Sequence, residues 1–257
     1  MPTLVTGAGL VGSHVAALLA AAGEGVALLD VNPDRGALAQ TVSLERVKVL
    51  RVDLIDLPEI IRAITENGVD RIIHTASLTS DVWEHPYRGL HVNVQAFANI
   101  YEAARLTKVK RVTISSSAAV YAAGNAYEPE DPRGPIAETA SLRPGTVYGT
   151  TKLLGEHLGL NYHHIYGMGF SALRYPVVIP PRPETYHYIP NTDITRVGGV
   201  VPAMVKAGVA GEAAEFNEWG ELEWGYVKDI ARGTVLANTV ERPTARCTTW
   251  ASGRPSP

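Results

Sequence analysis

The fold of this chain is decided by one glycine-rich stretch, Thr3-Leu4-Val5-Thr6-Gly7-Ala8-Gly9-Leu10-Val11-Gly12-Ser13-His14. Residues 4–6 form a short apolar run that is typical of a buried strand, and residues 11–22 form an alanine-rich run that is typical of a helix. A Gly-x-Gly-x-x-Gly spacing lies between the two runs. This spacing predicts a dinucleotide site where a strand precedes it and a helix follows it, and both conditions hold here.

Each of the three glycines has its own physical reason. Gly7 lets the backbone turn sharply out of the strand, Gly9 lets a pyrophosphate approach the main chain because it has no Cβ, and Gly12 lets the helix lie close to the sheet. The anion would face the helix N-terminus, where unpaired N–H groups and the helix dipole favour negative charge. The alternative is a tight strand–helix turn that binds no ligand.

An acidic residue closes the second predicted strand. Residues 25–29 are apolar apart from their first glycine and lead to Asp30, eighteen residues after Gly12. A carboxylate at this point accepts both hydroxyls of the adenosine ribose and repels a 2′-phosphate, so Asp30 predicts NAD rather than NADP. Arg35 is close enough in sequence to serve a 2′-phosphate, but it fits a solvated loop charge better.

Composition argues against several classes of protein. The 257 residues are 46% apolar and 19% charged, and the net charge of −3 gives no electrostatic basis for binding nucleic acid or an anionic membrane. No run approaches the roughly 20 apolar residues that span a bilayer. The single cysteine, Cys247, excludes an internal disulfide framework and fits a reducing compartment. We therefore expect a cytoplasmic protein without a cleavable signal peptide.

Strand and helix patterns alternate through the first two thirds of the chain. Further strands are predicted at residues 46–52, 70–76, 111–114 and 170–175, and helices at residues 57–66, 91–106 and 147–165. This alternation predicts an α/β fold with a doubly wound parallel sheet, the Rossmann fold. Ligands of such sheets bind at the carboxyl ends of the strands, where the small residues Thr75 and Ala76 would let the backbone pass close to a dinucleotide.

The pattern changes after residue 175, where prolines interrupt it. The proline-rich segment contains Tyr186, His187 and Tyr188 and is a candidate substrate lid. Later elements are predicted near residues 196–209 (helix), 212–216 (strand), 230–239 (helix) and 248–253 (strand). We therefore divide the chain into an NAD-binding Rossmann domain, 1–175, and a small, partly interleaved C-terminal substrate lobe, 176–257, some segments of which return to the Rossmann core.

A second constellation carries the predicted chemistry, Tyr148-Gly149-Thr150-Thr151-Lys152. The i, i+4 spacing puts Tyr148 and Lys152 on one helix face. A tyrosine with an ordinary pKa of about 10 is a poor base at neutral pH, but a nearby ammonium and the positive nicotinamide ring lower that pKa. Lys152 can also hold the nicotinamide ribose hydroxyls, and Ser117 would hydrogen-bond the substrate oxygen. The alternative is an exposed helix pair.

Together these features resemble the extended short-chain dehydrogenase/reductases, also called the NAD-dependent epimerase/dehydratase family. The matching motifs follow the family's order over about residues 3 to 235: Thr6 to His14, Asp53-Leu54, His74 to Ser77, Asn93-Val94, Ser115 to Tyr121, Tyr148 to Lys152, Leu173-Arg174-Tyr175 and Tyr226 to Ala231. The resemblance implies a catalytic Ser117–Tyr148–Lys152 triad, NAD held by the glycine turn with Asp30 and Asp53, and a homodimer formed through two long helices.

The resemblance also implies further contacts. Other cofactor-binding positions are Leu10, Val11, Leu54, Thr75, Ala76, Ser115, Tyr175 and Val177, and substrate-binding positions are Thr79, Ser80 and Trp83 together with Ser117. Asn93 would be a packing residue outside the catalytic set. Asp53 has an alternative role as a carboxylate that leads into a helix.

Four departures from the family pattern narrow the function. The family's turn has one more residue between its first two glycines, which should change local phosphate contacts without abolishing binding. Ala118-Ala119 replaces the Asp-Glu pair of the dehydratases, so dehydration is rejected. Val177 replaces an asparagine that helps nucleotide-sugar epimerases hold the substrate's phosphates. Only about 27 residues follow the motif at Tyr226 to Ala231, which implies a reduced lobe or a truncated chain.

The sequence therefore predicts an NAD-dependent oxidoreductase that transfers hydride between NAD and a secondary alcohol or ketone of a sugar-like or other small polar substrate. The alternative is a nucleotide-sugar (UDP-sugar) epimerase with tightly bound NAD, and a third reading is an NAD-sensing protein without turnover. No metal site is expected, because nothing completes a ligand set around His157, His163 and His164. Cys247 has no basic partner nearby in sequence and is expected to be inert.

Overall fold

A seven-stranded parallel sheet forms the centre of the computed structural model, which describes residues 2–79, 81–121, 137–180, 207–213, 224–239 and 246–249. The sheet contains β1 (Thr3–Thr6), β2 (Val26–Asp30), β3 (Val47–Arg51), β4 (Arg71–His74), β5 (Arg111–Ser117), β6 (Gly169–Tyr175) and β9 (Arg246–Thr249). A separate pair consists of β7 (Val177–Ile179) and β8 (Trp224–Tyr226). The strands β1, β2, β4, β5 and β6 are buried along nearly their whole length, as expected for a sheet that is covered on both faces.

The strand order is β3-β2-β1-β4-β5-β6-β9, and every neighbouring pair is parallel. The chain moves outward from β1 to β3, then returns to place β4 on the other side of β1. The prediction of a doubly wound parallel sheet is therefore confirmed. The direction of winding reverses between β1 and β4, and this reversal opens the crevice in which such folds bind ligands.

Helices cover both faces of the sheet. They are α1 (Leu10–Ala21), α2 (Arg35–Leu38), α3 (Leu57–Glu66), α4 (Asp81–Glu84), α5 (Pro86–Leu106), α6 (Val147–Tyr166) and α7 (Val227–Thr239). The cluster that includes Phe97, Tyr101 and Phe170 fills the face under α3, α5 and α6, while a second cluster that includes Val15 and Leu28 lies under α1. The two clusters give the sheet its apolar layers.

Local sequence fixes the ends of the helix that carries Tyr148. The Thr146 side chain accepts a hydrogen bond from the Gly149 N–H at 3.0 Å, which caps the start of α6. Gly167 ends the helix in the left-handed conformation with φ 71°, where glycine has no steric penalty. The helix therefore begins one residue before Tyr148 and places that residue in its first turn.

Several predicted boundaries require correction. The fifth helix begins at Pro86 rather than near residue 91, because a proline is well accommodated in the first turn of a helix. The last helix begins at Val227 rather than at residue 230, and β9 begins at Arg246 rather than at residue 248. The sequence patterns also show no sign of β7 and β8, since strands of three residues are too short to show a period.

Two late segments contact the earlier part of the chain. The helix α7 packs against α1, and β9 pairs with β6 so that Cys247 lies opposite Ala172. The predicted helix at 196–209 lies outside the described residues except for its last three, and the predicted strand at 212–216 is described only at residues 212–213, which are not strand. Ser80 and the run Tyr186, His187 and Tyr188 also lie outside them. No helix in the described part of the chain is long and apolar enough to cross a membrane.

The contact between α6 and β6 depends on a glycine. A Cβ at Gly159 would overlap the ring of Phe170, so Gly159→Ala should force this part of the core apart. We expect the variant to lose about 2 kcal/mol of unfolding free energy, measured by urea denaturation. Gly208→Ala is the matched control, because a Cβ there meets only open space. Equal stability of the two variants would contradict the packing described here.

Candidate active site

The glycine turn brings the main chain of β1 against the loop that follows β4. Gly7 has φ +90°, and a Cβ there would lie 2.6 Å from the backbone nitrogen of Ala76. A Cβ at Gly12 would overlap the carbonyl oxygen of Gly7, whereas a Cβ at Gly9 would meet nothing within 4 Å. Two of the glycines are therefore required by packing, and the third leaves an open cradle beside the first turn of α1.

This cradle is suited to a phosphate group. The N-cap residue of α1 is Gly9, which has no side chain that could accept a hydrogen bond from the first N–H groups of the helix. These N–H groups include those of Leu10 and Val11, which begin the helix. Backbone N–H groups at a helix N-terminus attract anions, so the cradle fits a pyrophosphate.

The Asp30 carboxylate lies beside the turn, at the carboxyl end of β2. Its Oδ2 accepts a hydrogen bond from the Ala8 N–H at 2.8 Å, and its Oδ1 accepts one from the Asn32 N–H at 2.9 Å. The side chain is partly exposed. Each carboxylate oxygen retains capacity to accept a second hydrogen bond, so Asp30 is oriented by the protein and still able to accept ribose hydroxyls.

A buried histidine supports the floor of the crevice. His74 Nδ1 lies 2.6 Å from Thr6 Oγ1, and Thr75 donates its hydroxyl to the Thr6 carbonyl at 2.8 Å. Burial, together with the nearby Lys152 charge, lowers the pKa of His74 to about 3. His74 is therefore neutral at physiological pH, and it ties the ends of β1 and β4 together.

The structure brings the predicted triad together at the carboxyl end of β5. The Ser117 hydroxyl lies close enough to the Tyr148 phenol to favour its ionised form, and the Lys152 ammonium lies 5.5 Å from the centroid of the Tyr148 ring. Lys152 is 1% exposed and donates to the Ser115 carbonyl at 2.8 Å and to the Ser115 hydroxyl at 3.3 Å. A phenol, a hydroxyl and an amine therefore converge on one point of the sheet edge.

The protein's own groups raise the pKa of the tyrosine rather than lower it. Burial raises the pKa of Tyr148 to about 12, although the nearby Ser117 hydroxyl opposes the rise. Burial also lowers the pKa of Lys152 to about 7, so the lysine is only partly charged at neutral pH. Spacing alone could not reveal this effect, because it depends on how deeply the two side chains are buried.

Other predicted site residues lie in different surroundings. Asp53 is exposed, and its Oδ1 accepts a hydrogen bond from the Ile55 N–H at 3.1 Å in the loop before α3, whereas the N-cap of that helix is Asp56. Trp83 is 68% exposed and Thr79 is also exposed, so both side chains face solvent rather than the protein interior. Val177 lies in β7 opposite Trp224.

Two further predicted contacts are buried near the sheet edge. Leu54 is 9% exposed, and its carbonyl accepts a hydrogen bond from Asn99. The Tyr175 hydroxyl lies 2.7 Å from Thr234 Oγ1, and burial raises the pKa of Tyr175, with the nearby Tyr148 phenol adding to the rise. Tyr175 therefore lies near Tyr148.

Asn93 positions the loop that follows β4. Its Oδ1 accepts from the Leu78 N–H at 2.8 Å, and its Nδ2 donates to the Leu78 carbonyl at 3.0 Å. The same amide lies 3.3 Å from Thr151 Oγ1 on α6. Asn93 thus links the loop to the helix that carries Tyr148, without contacting Tyr148 itself in any hydrogen bond of the described residues.

Three buried residues beside the triad were not predicted as site residues: Ser116, Glu156 and Arg174. Glu156 accepts a hydrogen bond from the Ser116 hydroxyl at 2.5 Å and forms a salt bridge with Arg174 at 2.7 Å. The signal that could have found Glu156 is its spacing, since it follows Lys152 by four residues on the same helix face. Arg174 carries no such signal, because its partner is distant in sequence.

Neither metal nor thiol chemistry is indicated in the described part of the chain. No group of three or more His, Cys, Asp or Glu side chains among the described residues could hold a metal ion. His163 contacts the Met168 carbonyl at 2.9 Å. Burial raises the pKa of the Cys247 thiol to about 12, and the nearby Glu156 carboxylate adds to the rise, so the thiol stays protonated and unreactive.

A doubly wound sheet, a glycine turn with an adjacent carboxylate, and a Ser-Tyr-Lys group at the end of the fifth strand define the extended short-chain dehydrogenase/reductase class. Within that class, the chain belongs to the NAD dependent epimerase/dehydratase family, whose model matches residues 3–245. The family resemblance drawn from the sequence motifs is thereby confirmed.

Individual relatives include both epimerases and a dehydrogenase. UDP-glucuronate 4-epimerase 4 of Arabidopsis thaliana is 28% identical over 255 residues, which cover 94% of this chain and 55% of that protein. This chain therefore spans little more than half the length of that relative. Among solved structures, the Thermus thermophilus UDP-glucose 4-epimerase complex with NAD matches with a TM-score of 0.80 and 27% identity, covering 99% of this chain and 78% of that one. The GalE-like L-threonine dehydrogenase from Cupriavidus necator (holo form) matches with a TM-score of 0.75 and 25% identity, covering 91% and 71%.

The burial of Lys152 predicts a dependence of stability on pH. The unfolded chain holds the lysine proton up to its ordinary pKa of 10.5, whereas the folded chain releases it at about 7. Between pH 7 and pH 9 the unfolded state therefore binds more protons, and the unfolding free energy of the wild type should rise relative to Lys152→Met by about 1 kcal/mol per pH unit.

Urea denaturation at pH 7, 8 and 9 measures this difference. The exposed Lys48 provides the control, since Lys48→Met should leave the wild-type slope in place. Parallel pH curves for the wild type and Lys152→Met would show that Lys152 is not a buried amine with a lowered pKa.

Proposed function

We propose that this protein is an NAD-dependent oxidoreductase that transfers hydride between NAD and a secondary alcohol or ketone of a sugar-like or other small polar substrate. One observation carries the proposal: Tyr148 and Lys152 converge with Ser117 at the carboxyl end of β5. A structural helix pair would have no reason to bury an amine beside a phenol at the edge where parallel sheets bind ligands.

The described residues fit NAD along the crevice. The open cradle at Gly9 and the first turn of α1 would hold the pyrophosphate. Asp30 would accept the adenosine ribose hydroxyls, and its charge would repel the 2′-phosphate of NADP. Lys152 would donate to the nicotinamide ribose. Thr75 and Ala76 would line the crevice between the adenosine ribose and the nicotinamide ribose.

In the proposed reaction, Tyr148 removes the hydroxyl proton of the substrate alcohol. The Ser117 hydroxyl orients the substrate oxygen, and the Lys152 ammonium stabilises the phenolate. When bound, NAD supplies the hydride acceptor and a positive nicotinamide ring, and that charge favours the phenolate form of a neighbouring tyrosine. The reverse direction uses Tyr148 as the acid that protonates the carbonyl oxygen.

The second candidate is a nucleotide-sugar epimerase, which is favoured by the similarity of this chain to UDP-sugar 4-epimerases. An epimerase of this kind would keep NAD bound and return the hydride to the opposite face of the same substrate carbon. Absorbance at 340 nm separates the two: an oxidoreductase accumulates NADH in the presence of substrate, while an epimerase interconverts UDP-sugars without consuming added NAD.

Assembly and location are part of the proposal. The residues that follow 175 supply the substrate lobe, while α7 and β9 contribute to the Rossmann core. A homodimer through α5 and α6 is supported by the exposed apolar side chains Leu90, Leu106 and Leu154 on these two helices. A cytoplasmic location is supported by the single cysteine of the chain.

Removal of the phenol hydroxyl tests the proposed base. Tyr148→Phe should lower turnover at least about 1000-fold, because no proton acceptor remains at that position, while NAD affinity changes by less than about threefold. Turnover of sugar, sugar-acid and UDP-sugar substrates is measured by NADH fluorescence and by product analysis. The control is Tyr87→Phe at a phenol that is 83% exposed. Wild-type turnover in Tyr148→Phe would refute the assignment.

Removal of the Asp30 carboxylate tests cofactor selection. Asp30→Ala should weaken NAD binding about 10- to 100-fold and raise the relative affinity for NADP, because ribose hydroxyls lose their acceptor and a 2′-phosphate loses its repulsion. Isothermal titration with each cofactor measures both effects, and Glu66→Ala removes an equal charge from the exposed end of α3 as a control. An unchanged preference for NAD would exclude the ribose role of Asp30.

A further inference from the structure

Three side chains of α6 meet three consecutive serines of β5. Tyr148 contacts Ser117, Lys152 contacts Ser115, and Glu156 contacts Ser116. The three helix residues are spaced by four, so they form one stripe along the face of α6 that packs on the end of β5. The first two belong to the proposed triad, and the third has no part in the proposed chemistry.

Glu156 is the anchor of this stripe. Its side chain is 1% exposed, and its two oxygens accept hydrogen bonds from Arg174 Nε at 2.9 Å and Arg174 Nη2 at 2.7 Å. A bidentate carboxylate–guanidinium pair fixes both the distance and the orientation of its partners. Since Arg174 lies on β6 and Ser116 on β5, Glu156 locks the position of α6 against two strands at once.

Arg174 connects Glu156 to the loop before α6 and, through Tyr121, to β9. Its Nη1 donates to the Tyr121 hydroxyl at 2.6 Å and to the Glu138 carbonyl at 3.2 Å. The Tyr121 hydroxyl in turn lies 2.6 Å from Thr249 Oγ1 on β9, whose backbone N–H donates to the Glu138 carboxylate at 2.8 Å. The loop before α6 and the last strand are thus tied to the same buried ion pair.

We propose that Glu156 and Arg174 are positioning residues, which hold the Tyr148–Lys152 stripe of α6 in register with Ser115 and Ser117. This inference rests on the proposed function of the triad. A buried ion pair is a weak source of stability because desolvation of its charges opposes their attraction. Its directional hydrogen bonds are suited to fixing geometry, and a misplacement of about 1 Å at a reacting group can lower a rate about 100-fold.

The test replaces both charges together, in Glu156→Met with Arg174→Met. Replacement of one partner alone would leave an unpaired buried charge and destabilise the fold, whereas the double variant leaves neither charge. Lys152 is the reporter: its titration is followed by NMR of carbon-13-labelled lysine in the protein without cofactor, with its signal assigned by Lys152→Met. A helix that is no longer held in register admits water to the amine, so the pKa of Lys152 should rise by at least about one unit.

Two further variants complete the experiment. Ser116→Ala removes only the hydroxyl that donates to Glu156 and should shift the Lys152 titration in the same direction by a smaller, measurable amount; it decides the question if the double variant does not fold. Asn238→Ala is the control, because the Asn238 amide donates to Ile72 and Thr113 under α7 and makes no hydrogen bond to α6 among the described residues. This control should lose stability without any change in the Lys152 titration.

Turnover is the second quantity that the experiment measures. With the substrate that the wild type is found to turn over, the double variant should lose about tenfold or more in kcat, with KM within about threefold, because orientation of the triad is impaired while the binding surface remains. A folded variant whose Lys152 titrates as in the wild type would overturn the proposal. The titration needs no turnover, so failure of the proposed function, seen as an active Tyr148→Phe, is distinguishable from failure of this inference.

Discussion

The contact between α6 and the end of β5 is the constraint on which the site depends. A phenol and an amine at i, i+4 face the sheet only if the helix keeps one rotation and one axial position. The structure fixes the axial position with Glu156 and the helix start with Thr146. Because Lys152 donates to the Ser115 carbonyl, its amine is held at the strand end by a backbone atom that no substitution of Ser115 would remove.

The glycine turn, which forms the proposed phosphate cradle, lies at the same edge of the sheet. Gly7 and Ala76 approach so closely that a Cβ on Gly7 would clash, and His74 and Thr75 tie the ends of β1 and β4 to each other. The glycine turn and the triad therefore lie on strands that are separated only by β4 in the order β1-β4-β5. A rigid parallel sheet sets the distance between the proposed phosphate cradle and the proposed base.

Burial also determines the electrostatic state of the two reactive groups. The amine of Lys152 has a pKa of about 7, and the phenol of Tyr148 has a pKa of about 12. The protein alone thus favours two neutral groups side by side above neutral pH. In our proposal, the base becomes competent only when the cofactor adds its positive charge and its ribose hydroxyls, which restricts proton removal to the loaded enzyme.

The architecture could be predicted in large part for identifiable reasons. The six early strands and the helix at Leu57–Glu66 follow from periodicity and cap residues, and the glycine spacing located the turn that the structure places between β1 and α1. Short strands such as β7 could not be predicted, because three residues show no period. The pairing of Glu156 with Arg174 was also out of reach, since it depends on the tertiary contact of α6 with β6.

Electrostatic states could not be predicted from the sequence either. Spacing indicates that Tyr148 and Lys152 share a helix face, but it does not indicate that Lys152 is fully buried while Tyr148 is only partly exposed. Asp53 shows a related limit, because a carboxylate at that position fits both a contact with NAD and a cap at the start of a helix. The structure places Asp53 in the exposed segment before α3, with a hydrogen bond from the Ile55 N–H.

A crystal structure of the protein with NAD tests the central claim most directly. We predict the pyrophosphate at Gly9 and the first turn of α1, the adenosine ribose on Asp30, and the nicotinamide ribose within hydrogen-bond distance of Lys152 with the ring beside Tyr148. A crevice that stays empty at saturating NAD, or a nicotinamide that lies away from Tyr148, would contradict the account.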